Sequence, residues 1–440
     1  MERVATDIYS FAELRNEGFT YVDKTRELYA MASGEVGKQF FIARPRRFGK
    51  SLAVSTLKAL FEGQRALFKG LAIEPLWDWS KKWPVLHLDM GSAQKPTVAE
   101  LRRRWREILK NECSRNNVRV EDDEDPATFF ERVIDALAAK SPDGRMVLLV
   151  DEYDKPLLGH LMKSDVTDFR DELKAFYSVI KTLESKQRFT FITGVSKFSK
   201  VSIFSDLNNL NDWTMDATVA TLFGYTHEEV LKCFPGRIHA LAEANGLTDD
   251  AAFAKIVEWY DGYKFHHSAK PVINPVSLGL CFQKNDFANY WSQTAMPTFL
   301  VDILKRHPLD FSNIEIDEEE LGNYEPDRPR GVTLLYQTGY LTIKSFRQLG
   351  VSRRYALRLP NLEVENSFLK DVVGAYTGQE VGRTSNFAAA AGDALYAHDM
   401  PKFVKALKSF SSERRTIVEE LVEELPYDSN ARDGIISSYA

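Results

Sequence analysis

The sequence predicts an α/β protein with a parallel sheet in its first half and mostly helical domains after it. The chain has 440 residues, more than one hydrophobic core usually serves, so we expect two or three domains. Hydrophobic residues make up 44% of the chain, which is enough for packed cores and argues against disorder. Between residues 35 and 225, short apolar runs alternate with segments of helical spacing, as in a parallel sheet with crossover helices.

The elements of this first part can be placed in order. An apolar run from Gln39 to Ile42 leads into a loop, and helical spacing then extends from Ser51 to Gly63. A later run of five apolar residues, MVLLV, is typical of a strand buried on both faces of a sheet. Further strands and helices are predicted at 84–91, 98–112, 129–139, 146–150, 168–181 and 188–194.

The chain changes character beyond Phe223. Helical patterns predominate first, and two short strand patterns with helices then suggest a winged-helix-like region. We therefore predict an α/β domain at 1–225, a helical domain at 226–325, the winged-helix-like region at 326–385 and a helical tail at 386–440.

Charge, cysteines and apolar runs exclude several classes of protein. The net charge of −6 gives no global attraction to nucleic acid or to anionic membranes. Cys113, Cys233 and Cys281 lie far apart, so neither a disulfide framework nor a zinc knuckle is indicated. The N-terminus lacks the apolar core of a signal peptide, and no apolar run is long enough to span a membrane. The sequence predicts a cytoplasmic protein without a membrane partner.

The loop after the first strand matches most of a phosphate-binding pattern. That pattern is GxxxxGK followed by serine or threonine; its backbone N–H groups surround phosphates, its lysine reaches the β and γ phosphates and its hydroxyl binds magnesium. Gly49, Lys50 and Ser51 are in place, but Arg44 occupies the position of the first glycine. Nucleotide contacts are predicted for Arg46, Arg47, Phe48, Gly49, Lys50, Ser51 and Leu52.

The loop pattern alone leaves alternatives open. The tripeptide GKS is common, so its arginines could simply lie on a solvated loop. If a nucleotide binds, one of Arg44, Arg46 and Arg47 is a candidate to contact phosphate or to act as an arginine finger. Pro45 removes one N–H donor, so the start of this loop must differ from the usual turn.

Two carboxylates follow the apolar run at 146–150. Asp151 is predicted to hold magnesium opposite Ser51, and Glu152 to orient or deprotonate an attacking water. Alone, an Asp-Glu pair at a strand end is more often a cap or surface charge, but two matches in the right order favour a nucleotide site. At the end of the next strand, Thr193 or Ser196 could sense the γ phosphate. The alternative is that these residues only end the strand and begin a turn.

Ten motifs, taken together, resemble one family. They are YVDKT, RPRRFGKSL, VDEYDKPL, TGVSKFS, FSDLNNLND, YDGYKF, NPVSL, NYW, LLYQTGYLTIK and LPNLEVENSF. The chain resembles, from about Phe11 to Tyr427, the AAA-ATPase-like proteins that usually carry a C-terminal nuclease of the PD-(D/E)xK superfamily. The resemblance implies ATP with Mg²⁺, an AAA-type P-loop NTPase core, a helical domain and a winged-helix-like region. It also implies that Arg44 is the family's normal form of the loop.

The resemblance has further implications for site residues and partners. Tyr21, Asp23 and Lys24 precede the first strand, where related folds hold adenine; the alternative is that they only cap a helix. After Tyr376 no carboxylate is followed by a strand with Glu-x-Lys, so nuclease activity is not predicted for these residues. The usual conjectures for the family are defence and mobile-element maintenance. DNA, a partner nuclease and a homo-oligomer are the candidate partners.

Two functions therefore stand beside each other. In the first, the chain hydrolyses ATP as a switch, which requires Glu152 to act. In the second, ATP gates a DNA- or protein-binding module with negligible turnover. A basic face at 102–106 suggests DNA contact, although arginines paired with nearby acids are the more common arrangement.

Overall fold

The computed structural model describes residues 1–198, 209–291, 300, 303, 314–326 and 329–368. The helical tail predicted at 386–440, and the winged-helix-like region after residue 368, lie outside the described residues. The chain divides into two compact units, Met1–Glu365 and Asn366–Ala440, and everything below concerns the first.

A five-stranded sheet forms the centre of the first half. All its neighbouring strands are parallel, in the order β2-β3-β4-β1-β5. The predicted parallel sheet is therefore confirmed. Its strands are β1 (Gln39–Ala43), β2 (Val85–Asp89), β3 (Met146–Asp151), β4 (Gln187–Gly194) and β5 (Asn211–Asp212).

Helices precede the sheet and connect its strands. Several begin at side-chain caps: Thr97 accepts the backbone N–H of Glu100 before α4, and Asp125 accepts that of Thr128 before α5. The helices are α1 (Phe11–Asn16), α2 (Thr25–Ala32), α3 (Lys50–Phe61), α4 (Val98–Arg115), α5 (Pro126–Ala138), α6 (Lys155–Leu158) and α7 (Val166–Thr182).

The strand order brings the loop after β1 near the carboxylates after β3. All six residues of β3 are buried, as its apolar run predicts. Because the strands are parallel, their carboxyl ends meet at one edge of the sheet, where ligands of such sheets usually bind. At that edge Asp89 on β2 is in register with Asp151 on β3, and Ala43 on β1 with Gly194 on β4.

Four helices form a second core after the sheet. Thr226 caps the first of them in a capping box with Glu229, and Asn274 caps the last through the N–H groups of Val276 and Ser277. Val22 of the N-terminal segment is buried in this same core. The helices are α8 (His227–Cys233), α9 (Pro235–Asn245), α10 (Asp249–Tyr260) and α11 (Pro275–Lys284).

A small antiparallel sheet ends the described part of the first unit. Its order is β6-β8-β7, with two short helices before the hairpin. The strand β6 was not predicted, because it falls inside the segment expected to be helical. The winged-helix assignment and the boundaries at 225 and 325 stay predictions. These elements are β6 (Ile314–Asp317), α12 (Glu318–Gly322), α13 (Gly331–Thr338), β7 (Thr342–Leu349) and β8 (Ser352–Arg358).

No helix in the described part of the chain is both long and apolar enough to cross a bilayer.

Candidate functional site

A cavity of about 750 Å³ brings most of the predicted site residues together. Its wall is formed by the loop after β1, the ends of β2 and β3, the N-terminal segment and the start of the helical region. This volume is typical of small-molecule sites. The predicted residues that line it are Arg46, Arg47, Phe48, Gly49, Lys50, Ser51, Leu52, Tyr21, Lys24, Asp151 and Glu152.

The loop between β1 and α3 turns through two residues with positive φ. The angle is 69° at Arg47 and 92° at Gly49, which immediately precedes α3. Left-handed backbone is uncommon for a residue other than glycine and is found mostly where function requires it. The turn leads into the N-terminus of a twelve-residue helix, whose free N–H groups and positive dipole end favour a bound anion.

Lys50 is a buried cation beside this turn. Its Nζ donates to the carbonyl oxygens of Arg44 at 2.9 Å and Pro45 at 2.8 Å. Burial lowers the pKa of Lys50 to about 8, while Asp151 and Asp154 act in the opposite direction. The ammonium therefore stays charged at neutral pH, and the loop's own carbonyl groups position it.

Arg44 is a structural residue of the loop. Its guanidinium is buried, donates to the carbonyl of Thr214 at 2.5 Å, and lies 4.2 Å from the centroid of the Phe265 ring. Burial lowers the pKa of Arg44 to about 10, so it remains charged. Because the side chain is enclosed by protein, Arg44 is not the arginine that contacts phosphate.

The other large side chains of the loop differ in where they point. The Phe48 ring is buried against Tyr263, at a centroid distance of 4.8 Å, so we expect this residue to offer a ligand its backbone. Arg47 donates to the carbonyl of Tyr290 at 3.0 Å. Arg46 is exposed and has no hydrogen-bond or ion-pair partner within the described residues.

Asp151 completes the predicted pairing with the loop. Its carboxylate is buried and lies near the hydroxyl of Ser51. Burial raises the pKa of Asp151, while the Ser51 hydroxyl and the nearby Lys50 ammonium lower it. The structure therefore places Lys50, Ser51 and Asp151 around one point of the cavity.

Glu152 is held in a strained backbone conformation. Its φ is 51°, and its N–H donates to the Asp151 carboxylate at 2.9 Å. Its own carboxylate lies 3.6 Å from the Lys155 ammonium and borders the cavity. A non-glycine residue at positive φ is maintained only when its surroundings enforce it, which is common at functional sites.

Two residues of β2 at this cavity were not predicted as site residues. His87 and Asp89 both line it, and a Cβ on Gly91 would lie 3.0 Å from the Asp89 carboxylate and 3.3 Å from that of Glu152. Burial lowers the pKa of His87, so its imidazole is neutral at pH 7. The sequence does contain a signal for Asp89. It is the last residue of the strand VLHLD, just as Asp151 is the last residue of its own strand.

Thr193 and Ser196, the residues predicted to sense the γ phosphate, do not line this cavity. The buried Thr193 hydroxyl donates to the carbonyl of Ile42 at 2.7 Å, a contact within the sheet. The backbone N–H of Ser196 donates to the buried Asp154 carboxylate at 2.7 Å. Burial raises the pKa of Asp154 to about 6. This geometry resembles the alternative interpretation, in which these residues only end a strand and begin a turn.

The three residues predicted to hold adenine have different surroundings. Asp23 is absent from the cavity wall, and its carboxylate accepts the N–H of Thr25 at 2.9 Å at the start of α2. This matches the alternative of a helix-capping role. Lys24 lines the cavity, but its ammonium is paired with Glu229 at 2.6 Å. Tyr21 lines the cavity, and its ring packs edge-on against Phe11.

Ser51 and Asp151 fit a hydrated magnesium ion. Both residues line the cavity and lie near each other, and their oxygens are ligands of the kind that Mg²⁺ prefers. Mg²⁺ in nucleotide sites usually takes one or two protein oxygens, with phosphates and waters completing its shell. No group of three or more His, Cys, Asp or Glu in the described part of the chain is arranged to hold a metal by itself.

The basic face of α4 is neutralised by acids. Arg102 pairs with Glu172 at 2.6 Å, and Arg106 pairs with Asp122 at 2.6 Å. Arg104 likewise pairs with a glutamate on its own helix. These contacts agree with the interpretation of a solvated, ion-paired helix face.

Comparison with known proteins shows two similarities. Residues 5–204 match the family described as Predicted AAA-ATPase. Over 405 residues the chain is 37% identical to a protein of Azotobacter chroococcum mcd 1 named "Uncharacterized protein in vnfD 5'region". That alignment covers 91% of this chain and 75% of the relative. The loop after β1, Asp151 and Glu152 all fall within the residues matched by that family.

Proposed function

Because the chain belongs to the family of predicted AAA-ATPases, we propose that it binds ATP with Mg²⁺ in this cavity and hydrolyses it as a switch. The observation that carries the proposal is the convergence of Lys50, Ser51 and Asp151 on one cavity wall. An ammonium, a hydroxyl and a carboxylate at a helix N-terminus are the groups that a magnesium triphosphate requires.

Each residue has a role in this proposal. The backbone N–H groups of the loop and the Lys50 ammonium bind phosphate oxygens, and Ser51 and Asp151 hold the magnesium ion. Magnesium, when bound, neutralises charge on the phosphates. Glu152 orients or deprotonates the attacking water, since it borders the same cavity as Asp151.

The second candidate is ATP binding with negligible turnover. One observation favours it: the Glu152 carboxylate lies 3.6 Å from the Lys155 ammonium, so it is engaged in an ion pair instead of being free to approach a water molecule. In this form, ATP fixes one conformation of the chain and a partner recognises that conformation.

Binding and turnover variants separate the two candidates. We expect Lys50→Ala to lower ATP affinity by at least about 100-fold, because a buried contact to two phosphates is removed. Glu152→Gln should retain ATP binding and lose turnover if the chain hydrolyses ATP. Calorimetric titration with ATP and Mg²⁺, together with phosphate release, measures both.

Arg103→Ala on the exposed face of α4 is the matched control and should change neither quantity. Equal ATP affinity of the Lys50→Ala variant and the wild type would contradict the proposed site. Turnover that persists in Glu152→Gln would remove that residue from the role of base.

The wider role is also a proposal. A cytoplasmic switch that regulates a fused or partner nuclease, in defence or in mobile-element maintenance, agrees with the resemblance to nuclease-linked relatives. DNA contact is proposed for the winged-helix-like region, as the family resemblance implies, since the basic face of α4 is neutralised by acids. A homo-oligomer that supplies an arginine to a neighbouring site is proposed as a further arrangement.

A further inference from the structure

The three arginines of the loop have different surroundings, and only one of them faces the cavity unpaired. Arg44 is enclosed by protein and bonded to the carbonyl of Thr214. Arg47 is bonded to the carbonyl of Tyr290. Arg46 lines the cavity, is exposed, and has no polar partner within the part of the chain that the structure describes.

The position of Arg46 relative to Lys50 indicates which ligand group it meets. Arg46 and Lys50 lie four residues apart on one loop and both line the cavity, so their positive charges repel each other. Two cations on one cavity wall are stabilised when an anion binds between them. Lys50 also shares this wall with Asp151.

We infer that the Arg46 guanidinium contacts the terminal phosphate of the nucleotide and makes the site prefer ATP to ADP. The inference rests on the proposed function, in which Lys50 reaches the β and γ phosphates. Arg46 belongs to the same loop as that ammonium, and none of its five N–H donors is used within the described residues. A guanidinium can form two parallel hydrogen bonds with one phosphate, so its contribution depends on the γ group being present.

The preference for ATP over ADP is the quantity that tests this inference. With Mg²⁺ present, calorimetric titration gives the dissociation constants of ATP and ADP for the wild type and for Arg46→Ala. We expect Arg46→Ala to weaken ATP binding about tenfold or more and ADP binding less than about threefold. Arg46→Lys should recover part of the ATP affinity, because it keeps the charge but not the paired donors.

The controls distinguish this inference from the proposed function. Arg103→Ala should leave both dissociation constants unchanged. An equal loss of ATP and ADP affinity in Arg46→Ala, or no loss at all, would overturn the inference while leaving the nucleotide site intact. Failure of the wild-type chain to bind ATP would overturn the proposed function, and the inference with it.

Discussion

At the scale of single residues, Arg44 shows how this phosphate loop works without its usual first glycine. Glycine at that position normally supplies a conformation that other residues avoid. In this loop the positive φ angles occur later, at Arg47 and Gly49, and Arg44 is not among the residues with positive φ. The position therefore accepts a large side chain, and its guanidinium ties the loop to the carbonyl of Thr214 next to β5.

Replacing Arg44 by glycine would match the common pattern, but we expect it to destabilise the protein. Arg44→Gly leaves a cavity beside Phe265 and leaves the carbonyls of Thr214 and Val219 without this donor. The free energy of unfolding should fall by about 3 kcal/mol, measured by urea denaturation. Arg103→Ala should change it by less than about 0.5 kcal/mol. An Arg44→Gly variant as stable as the wild type would show that the buried guanidinium contributes no stability.

Sequence patterns identified the residues whose chemistry follows from local spacing. Lys50, Ser51 and Asp151 were predicted because a strand must precede each of them, and each strand has a clear apolar run. The burial of Arg44 could not be predicted, because it depends on Thr214 and Phe265, which are distant in sequence. Long-range contacts of this kind leave no periodic signal along the chain.

At the scale of elements, Glu363 connects the loop region to the helical turn at 362–365. Its carboxylate is buried and accepts the backbone N–H groups of Tyr290 and Trp291, each at 2.8 Å. Arg47 of the loop donates to the carbonyl of the same Tyr290, and its charge favours the ionised form of Glu363. The NYW motif thus links the phosphate loop with residue 363.

The charge of Glu363 should make stability depend on pH. Burial raises its pKa from an ordinary 4.5 to about 7, although Arg47 and the two backbone N–H groups lower it. Between these values the folded chain keeps a proton that the unfolded chain has lost. The free energy of unfolding should therefore fall as pH rises from 4.5 to 7, by about 3 kcal/mol at most, and this contribution is constant above pH 7.

Glu363→Gln isolates this contribution, because an amide oxygen can accept the same two N–H groups without ionising. The difference in unfolding free energy between this variant and the wild type should grow in favour of the variant from pH 5 to pH 8. Urea denaturation at several pH values measures it. The exposed Glu365→Gln is the matched control, with a difference expected to be small and constant. A constant difference for Glu363→Gln would contradict the assignment.

Among the helices and strands, the longer ones were easier to predict from the sequence than the shorter ones. Helix α4 has eighteen residues at helical spacing, and β3 is a continuous run of six buried residues, so each leaves a clear pattern in the sequence. Strand β5 has two residues and β6 has four, which is too short for a pattern to separate them from a loop. Both depend on pairing with distant strands, and single-sequence patterns do not contain that information.

At the scale of the whole first unit, parts of the chain that are distant in sequence meet at the cavity wall. The N-terminal segment, the loop with the start of α3, and the segment from Leu222 to Phe234 all border it. The pair of Lys24 and Glu229 ties the first of these parts to the third, and Val22 is buried in the helical core. A ligand that fills the cavity therefore contacts elements of both cores.

This arrangement predicts which backbone amides ATP protects from hydrogen exchange. With ATP and Mg²⁺ at about 100 times the dissociation constant, the bound state gains roughly 2.7 kcal/mol, so openings that release the ligand become rarer. Mass spectrometry should show slower exchange in peptides covering residues 4–24, 46–55 and 222–234, whereas α5, which does not line the cavity, should be unchanged. Lys50→Ala should abolish all three effects together. Protection confined to residues 46–55 would mean that the nucleotide contacts the loop alone and that the cavity is not its binding site.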